Sequence, residues 1–307
     1  MKIGIATSSF GFLSDKPIKL LKSSGFKIKE NHFNRKLNDS ELINFGKDLL
    51  GIIAGTENYN ANVLKNLPKL KAVSRLGVGI DNIDLNLAKK YGIEVLKTIT
   101  SPGPAVAELV LGLMLNIARN INLHHQDLIN NKWNKRMGTL LRGKTLGIVG
   151  LGSIGKDLVE LVSGFKFKII VNDLFQDNVF AKKYNINYCS LDTIFRESDI
   201  ISIHVNLNDK TKNLVNDKFL KLLKPEAILI NASRGGIVDE EGLYNSLKSK
   251  SIMGVGLDVY KKEPYFGKLK KLENTILTPH IGSYASEIRI KMEIEAAENL
   301  IKGLKGT

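Results

Sequence analysis

Short apolar runs alternate with amphipathic segments along almost the whole of this 307-residue chain. The first series of apolar runs predicts strands at 2–6, 26–30, 50–54, 71–75 and 93–97, with helical patterns between them. Strands that alternate with helices pair in parallel, because each helix carries the chain back to the end of the sheet at which the previous strand began. The pattern therefore predicts an α/β fold, with a parallel sheet and helices on both of its faces.

A second series of apolar, β-branched runs predicts strands at 144–150, 167–173, 199–205, 227–231, 253–259 and 275–279. This composition is typical of strands that are buried on both faces. A long apolar helix is predicted over 103–121, after the prolines of SPGP (101–104), and it connects the two series. A last amphipathic helix is predicted over 283–303, and its return to the first series would make the first domain discontinuous.

The composition is that of a globular protein, with 43% hydrophobic and 25% charged residues. The longest apolar stretch, residues 107–118, is too short to span a bilayer, and the N-terminus MKIGIATSSF predicts a first strand rather than a signal sequence. Because Cys189 is the single cysteine, no internal disulfide is possible, which favours a cytoplasmic location.

The formal net charge of +14 is compatible with an anionic substrate, a membrane surface or a nucleic acid. The lysines are spread through the chain, with no arginine-rich arm and no basic stretch interleaved with aromatic residues. We therefore interpret the charge as a lysine-rich solvated surface, and we expect neither a nucleic-acid nor a membrane partner.

The segment GLGSIG (150–155) has the form of a phosphate-binding loop, because it follows a predicted strand and precedes a predicted helix. Gly150 would permit the tight turn, Gly152 the close approach of a pyrophosphate, and Gly155 the close packing of helix on strand. The next predicted strand ends at Asp173, where a carboxylate can accept hydrogen bonds from ribose hydroxyls and repel a 2′-phosphate. These residues predict a Rossmann domain that binds NAD rather than NADP.

Three further side chains follow later strands, at the edge where doubly wound sheets bind their ligands. Arg234 lies in a glycine-rich turn and offers a guanidinium fork for a carboxylate. Glu263 and His280 follow the next two predicted strands, and each on its own could be an ordinary structural residue. Together the three provide an arginine, a carboxylate and an imidazole. These groups are suited to transfer a proton while a nicotinamide transfers a hydride.

These motifs resemble the signatures of the D-isomer-specific 2-hydroxyacid dehydrogenases, and those of the phosphoglycerate dehydrogenase branch most. The resemblance rests on GLGSIG, NASRGGIVDEEGL (231–243), GLDVYKKEP (256–264), LTPHIGS (277–283), SRLGVGIDNID (74–84) and TSPGPAVAEL (100–109). It implies two doubly wound parallel-sheet domains with a cleft between them. Residues 1–98 plus 282–307 would form a flavodoxin-like substrate domain, and residues 99–281 the Rossmann domain.

The resemblance also implies roles for single residues. Arg234 would bind the carboxylate and keto oxygen of the substrate, His280 would be the general acid and base, and Glu263 would orient His280. The residues implied to contact the cofactor are Gly150, Gly152, Ser153, Ile154, Gly155, Asp173, His204, Val205, Ala232, Ser233, Arg234, Asp258, His280 and Gly282. Those implied to bind the substrate are Arg75, Gly77, Val78, Gly79, Arg234 and His280. No metal site is predicted, and the family implies a homodimer through the nucleotide domain, or a tetramer.

The resemblance favours D-3-phosphoglycerate and 3-phosphohydroxypyruvate as the substrate pair. Phosphoglycerate dehydrogenases often carry an arginine in the turn after the third strand, whereas the turn at 54–60 here contains Glu57 and no basic residue. Glyoxylate, hydroxypyruvate and other small 2-keto acids are therefore alternative substrates. A hypothesis of another class is an NAD(H)-sensing interaction protein without turnover.

Overall fold

Residues 1–306 are described by a computed structural model, in which contacts divide the chain into two units. The first unit contains Met1–Pro102 and the chain from Tyr284 onward, and the second contains Gly103–Ser283. The boundaries that the sequence predicts, 98/99 and 281/282, lie four and two residues before these divisions. The assignment of substrate to the first unit stays a prediction.

The first unit is a five-stranded parallel sheet in the order β2-β1-β3-β4-β5. Its strands are β1 (Lys2–Ile5), β2 (Lys27–Glu30), β3 (Gly51–Ala54), β4 (Ala72–Arg75) and β5 (Glu94–Lys97). Its helices are α1 (Lys16–Ser23), α2 (Asp39–Gly46), α3 (Ala61–Lys65), α4 (Leu85–Lys90) and α12 (Ser286–Lys305). The five strands predicted for this part of the chain are all present.

Burial explains the strand order of the first unit. The central strands β3 and β4 are buried along their whole length, whereas the edge strands β2 and β5 are exposed at both ends and carry charged residues there. Helix α12 packs Ala296 and Leu300 against the sheet beside Ile3 and Ile53. The C-terminal helix thus returns to the first unit, as the amphipathic pattern predicted.

The second unit is a seven-stranded parallel sheet in the order β12-β11-β10-β9-β6-β7-β8. Its strands are β6 (Thr145–Val149), β7 (Lys168–Asn172), β8 (Ile186–Tyr188), β9 (Ile200–Ile203), β10 (Ile228–Asn231), β11 (Gly254–Leu257) and β12 (Thr275–Leu277). Its helices are α5 (Gly103–Arg119), α6 (Ile121–Ile129), α7 (Ser153–Leu161), α8 (Asn178–Tyr184), α9 (Leu191–Glu197), α10 (Asp217–Leu220) and α11 (Glu240–Lys248). Two α/β units with parallel sheets confirm the predicted fold class.

Two apolar layers cover the second sheet, one on each face. Met114 of α5 and Leu158 of α7 pack with Ile148 on one face. Phe195 of α9 and Leu243 of α11 belong to the layer on the other face. The chain moves outward from β6 through β7 and β8, and then from β9 through β12 on the other side. The resulting switch point between β6 and β9 is where a doubly wound sheet binds its ligand.

The structure differs from the predicted elements in two places. Strand β8 was not predicted, because it has three residues and only Ile186 is buried, which leaves almost no hydrophobic pattern. The helix predicted over 103–121 ends at Arg119, where Asn120 takes a left-handed conformation (φ 53°) that asparagine tolerates, and α6 begins at Ile121.

Among residues 1–306, no single helix is long and apolar enough to cross a membrane; α5 and α6 satisfy that test only as a pair bent by 66°.

Candidate active site

The loop after β12 places His280 against the carboxylate of Glu263. The His280 Nδ1 atom lies 2.9 Å from Glu263 Oε2 and 3.1 Å from Oε1. The two side chains are 33% and 21% exposed, so the pair is partly shielded from water but still accessible. A carboxylate on Nδ1 holds the Nδ1 proton there, which leaves Nε2 as the ring nitrogen that can exchange a proton. The structure thus joins two residues that the sequence placed on separate loops.

Tyr260 and Asp258 fix the two loops that carry this pair. The Tyr260 amide donates to Glu263 Oε1 (3.1 Å), and its hydroxyl donates to the Thr278 carbonyl (3.0 Å) just before His280. The Asp258 side chain is fully buried, and its two oxygens accept the amides of Ile281 and Gly282, each at 2.8 Å. Both loops are therefore bonded to residues that directly follow β11.

Burial raises the pKa of the Asp258 carboxyl. The hydrogen bonds from Thr278, Ile281 and Gly282 and the charge of His280 act in the opposite direction. The Thr278 hydroxyl lies 2.6 Å from Asp258 Oδ1. The family resemblance implies that Asp258 contacts the cofactor, and the structure adds that Asp258 holds the His280 loop in place. The motif offered no signal for this role, because the donors, two backbone amides and the Thr278 hydroxyl, come from another loop.

Arg234 lies in a rigid turn after β10. The Asn231 amide group donates to the Arg234 carbonyl (3.0 Å), and the Asn231 side-chain oxygen accepts the amide and hydroxyl of Ser233. A Cβ at Gly235 would lie 1.9 Å from the Tyr260 carbonyl oxygen, so only glycine allows this close approach. The Arg234 turn is thus packed on the loop that also carries Glu263.

The phosphate loop has the geometry that its glycines predict. Gly150 has φ +96°, and a Cβ there would lie 2.9 Å from the His204 backbone. A Cβ at Gly155 would lie 2.6 Å from the Gly150 carbonyl oxygen, which fixes the packing of α7 on the loop. At Gly152, in contrast, a Cβ would meet no atom within 4 Å. Open space beside a helix N-terminus fits a pyrophosphate that approaches the backbone.

Asp173 lies just after β7, beside this loop. Its Oδ2 accepts the Leu151 amide (2.5 Å), and its Oδ1 accepts the Phe175 amide (2.9 Å). Each carboxylate oxygen of Asp173 keeps a further lone pair, which can accept a hydrogen bond from a ribose hydroxyl. Asp173 therefore also holds the phosphate loop, a role that its sequence position did not indicate.

His204 and Val205 border the phosphate loop from the end of β9. A Cβ at Gly150 would lie 2.9 Å from the His204 carbonyl oxygen and from Val205 Cγ1. The His204 Nε2 atom lies 2.8 Å from the Ser202 hydroxyl, and burial lowers the pKa of this histidine to about 4. The imidazole is therefore neutral near pH 7, and a role of His204 at the cofactor stays a prediction.

The remaining predicted residues divide between the two units. Ser153, Ile154, Ala232 and Gly282 lie in the second unit, in the phosphate loop, the Arg234 turn and the His280 loop. Arg75, Gly77, Val78 and Gly79 lie at the end of β4 and in the turn after it, in the first unit. There the Gly77 amide donates to the Thr98 hydroxyl (3.0 Å), and the Gly77 backbone has φ +144°. Within residues 1–306, no three His, Cys, Asp or Glu side chains form a group that could hold a metal ion.

Comparison with known proteins gives consistent matches. Residues 111–282 match the model of the NAD binding domain of D-isomer specific 2-hydroxyacid dehydrogenases. Hydroxypyruvate reductase of Thermotoga maritima is 37% identical over 82% of this chain and 84% of that protein. Glyoxylate reductase of Thermococcus litoralis is 41% identical over 82% of this chain and 79% of that protein. The crystal structure of the TT0316 protein from Thermus thermophilus covers 100% of this chain and 97% of that one, with a TM-score of 0.89 and 30% identity.

The open space at Gly152 generates a prediction about cofactor binding. A Gly152→Ala variant should fold as stably as the wild type, because the added methyl group meets nothing within 4 Å. It should weaken NADH binding by about tenfold or more, because the methyl group would occupy the approach of the pyrophosphate. Fluorescence titration with NADH and a thermal melt measure the two effects.

Gly164→Ala is the matched control, since a Cβ there also meets nothing within 4 Å and Gly164 lies outside the phosphate loop. It should leave NADH affinity unchanged. Equal affinities for the wild type and Gly152→Ala would contradict the assignment of the pyrophosphate to this loop.

Proposed function

This chain belongs to the D-isomer-specific 2-hydroxyacid dehydrogenases, as an NAD-dependent oxidoreductase, and on this premise we propose that it reduces a small 2-keto acid with a single carboxylate, such as glyoxylate or hydroxypyruvate. The observation that carries the catalytic part is the 2.9 Å contact between His280 and Glu263. A histidine with only a structural role at the end of a strand would need no carboxylate beside its imidazole ring. Membership of an enzyme family, together with this pair, disfavours the hypothesis of an NAD-sensing protein without turnover.

Bound NAD supplies the hydride acceptor or donor of the reaction. The phosphate loop at 150–155 and Asp173 would hold the cofactor, and the open backbone at Gly152 fits that role. His204 and Val205 would border it, with Ala232, Ser233, Asp258 and Gly282 around the strand ends. The backbone amides and the partial positive charge at the start of α7 favour the anionic pyrophosphate.

His280 would carry the proton of the reaction on Nε2. In the reductive direction it donates this proton to the keto oxygen, and in the oxidative direction it removes the hydroxyl proton. Glu263, held on Nδ1, fixes the ring orientation and leaves Nε2 to exchange the proton. The Arg234 guanidinium would bind the substrate carboxylate and stabilise the negative charge that develops on the keto oxygen.

Two observations favour a substrate with one negative charge. The turn at 54–60 contains Glu57 and no basic residue, which gives no attraction to a phosphate. The relatives from Thermotoga maritima and Thermococcus litoralis are named for the reduction of hydroxypyruvate and glyoxylate. We therefore place these two keto acids ahead of 3-phosphohydroxypyruvate, which the resemblance alone had favoured.

The substrate proposal predicts the outcome of a panel assay. Glyoxylate, hydroxypyruvate, pyruvate and 3-phosphohydroxypyruvate are each reduced with NADH, and the fall in absorbance at 340 nm gives kcat/KM. We expect glyoxylate or hydroxypyruvate to have the highest kcat/KM of the four. A higher value for 3-phosphohydroxypyruvate would contradict the substrate proposal, and the absence of turnover with all four would contradict the wider proposal of small 2-keto acids.

The proton-transfer proposal predicts the effect of changing the pair. His280→Asn should lower kcat by about 10²- to 10⁴-fold, because asparagine cannot supply a proton to the keto oxygen. Glu263→Gln should lower kcat less, since the ring keeps a hydrogen-bond partner but loses the charge. His32→Asn is the control, because His32 is exposed and lies outside every motif. Wild-type kcat in His280→Asn near neutral pH would contradict the assignment.

We also propose that the protein is a homodimer through the second unit. The segment from α6 to residue 140 exposes a set of large apolar side chains, namely Ile121, Leu128, Ile129, Trp133, Met137 and Leu140. Trp133 and Met137 are 80% and 95% exposed. A large group of exposed apolar residues is typical of a surface that is covered by a partner. A symmetric dimer would bury the same surface on both chains.

The dimer proposal predicts a mass of twice 34.0 kDa in size-exclusion chromatography with light scattering. A Trp133→Lys, Met137→Lys double variant should shift the mass toward one chain, because the two charges would be buried without partners. Phe266→Lys, at an exposed phenylalanine elsewhere in the second unit, should leave the mass unchanged. A wild-type mass of one chain would contradict the proposal.

A further inference from the structure

The buried Thr98 hydroxyl holds the turn that is predicted to bind the substrate carboxylate. Thr98 directly follows β5, and it has no exposed surface. Its Oγ1 accepts the Gly77 amide at 3.0 Å, across a separation of 21 residues. Its own amide donates to the Arg75 carbonyl at 3.1 Å, which continues the pairing of β4 with β5 past the end of β5. The sheet therefore fixes the residue that supplies this hydroxyl.

Gly77 begins the turn with a backbone conformation that other residues rarely adopt. Its φ is +144°, and a Cβ there would lie 2.6 Å from Arg75 Nη1. The preceding residue, Leu76, is buried and donates its amide to the Ala54 carbonyl at 2.9 Å. The start of the turn is thus held by the neighbouring strand and by Thr98, which occupies the amide of the first glycine.

The next two amides of the turn are available to a ligand. In the part of the chain that the structure describes, the amides of Val78 and Gly79 donate to no protein acceptor. Val78 is 37% exposed, so a small molecule can reach this backbone. Successive free amides attract an anion, and binding costs less when the backbone is already ordered. The bond between Gly77 and Thr98 orders the peptide plane directly before these two amides.

A carboxylate of α12 holds the segment that contains Thr98. Glu295 Oε1 accepts the Ile99 amide at 2.7 Å, and Glu295 Oε2 accepts the Thr100 amide at 3.0 Å. The Ile99 side chain is 81% exposed, so it contributes little packing of its own to this segment. The position of the two residues after Thr98 is therefore set by hydrogen bonds to one carboxylate.

The charge of Glu295 strengthens these bonds. Partial burial acts to raise the pKa of the Glu295 carboxyl, but the hydrogen bonds from Ile99 and Thr100 outweigh burial and lower the pKa. The carboxylate is therefore ionised near pH 7, and bonds to an ionised acceptor are stronger than neutral ones. Asn299, one turn further along α12, donates to the Lys97 carbonyl at 3.1 Å. The chain is thus fastened to α12 both before and after Thr98.

We propose that Thr98 and Glu295 are positioning residues for the substrate carboxylate. Thr98 holds the turn by its first amide and leaves the next two amides for the carboxylate. Glu295 acts one step further away, by holding the segment that contains Thr98. This inference rests on the proposed function, because it concerns the 2-keto acid that the same site binds. Neither residue takes part in proton transfer.

The test compares Thr98→Val with Thr98→Ser. Valine has nearly the shape of threonine but cannot accept the Gly77 amide, whereas serine keeps the hydroxyl. We expect Thr98→Val to raise KM for the preferred 2-keto acid by about tenfold and to leave kcat within about twofold of wild type, because it weakens binding equally in the ground state and the transition state. Thr98→Ser should keep KM near the wild-type value, and NADH affinity should be unchanged in both variants.

Binding without turnover gives a second measurement. Oxamate has the carboxylate and carbonyl of a small 2-keto acid but is not reduced, and calorimetry measures its affinity for NADH-loaded enzyme. We expect Thr98→Val to weaken oxamate binding by the same factor as it raises KM. Glu295→Gln keeps one acceptor oxygen and loses the charge, so it should weaken oxamate binding by a smaller factor, about threefold.

Two variants serve as matched controls. Ser74→Ala removes another buried hydroxyl of the first unit, which donates to the Ala296 carbonyl at 2.7 Å. It should lower the melting temperature, as Thr98→Val does, and leave KM and oxamate affinity unchanged. Glu298→Gln changes an exposed glutamate of α12, and it should alter none of these values.

Several results would overturn this inference. Wild-type oxamate affinity in Thr98→Val, or an equal loss in Thr98→Ser, would show that the hydroxyl does not position the turn. An equal rise of KM in Ser74→Ala would show that KM follows stability and not the bond to Gly77. Wild-type oxamate affinity in Glu295→Gln would contradict the assignment of Glu295.

The same measurements separate this inference from the proposed function. If the wild type reduces no 2-keto acid but binds oxamate, the proposed function fails, and the oxamate titration of Thr98→Val still decides the inference. If the wild type reduces a 2-keto acid but does not bind oxamate, the KM comparison decides it. The absence of both turnover and oxamate binding in the wild type would refute both.

Discussion

The candidate catalytic residues depend on one buried carboxylate, that of Asp258. It lies at the end of β11 with no exposed surface, and it accepts two backbone amides and a hydroxyl from the loop that follows β12. Burial of a carboxylate costs several kcal/mol unless hydrogen bonds replace those to water. The Asp258 carboxylate therefore depends on the donors of the loop, and the loop is held in place by the carboxylate. His280 lies inside this loop with a left-handed backbone (φ 58°), a conformation that persists only where its neighbours are fixed. The position of His280 relative to Glu263 is therefore set by Asp258 and Tyr260.

The switch points of the two sheets are chemically different, although their topology is similar. At the second sheet the loop is made of glycines, with free space at Gly152 and the start of a helix beside it. Such a site attracts an anion through backbone amides and excludes side chains from its path. In the first unit, by contrast, buried carboxylates bind the loops that follow the strands: Glu57 accepts the Gly55 amide, and Glu293 accepts the Gly11 amide and the Nε–H of Arg289.

Much of this architecture could be predicted from the sequence, because the signals are local. The βαβ rhythm predicted both sheets, and the glycine spacing at 150–155 predicted the phosphate loop. The alignment of Arg234, Glu263 and His280 on successive strand ends followed from the parallel topology. What the sequence could not predict are contacts between segments that are far apart, such as Gly235 on the Tyr260 carbonyl or Asn82 on the Glu57 turn. These contacts depend on three-dimensional proximity and involve backbone atoms, which carry no residue-specific pattern.

The net charge of the chain and the buried charges of the first unit act over different distances. The surplus of +14 comes from lysines on the surface, where salt screens each charge beyond about 8–10 Å. Such a surface raises the local concentration of any anion and cannot distinguish a keto acid from its phosphorylated relative. The four buried charges of the first unit cancel each other, and they lie where water does not screen them. Selection between singly and doubly charged keto acids is therefore not a property of this surface, because the surface attracts both.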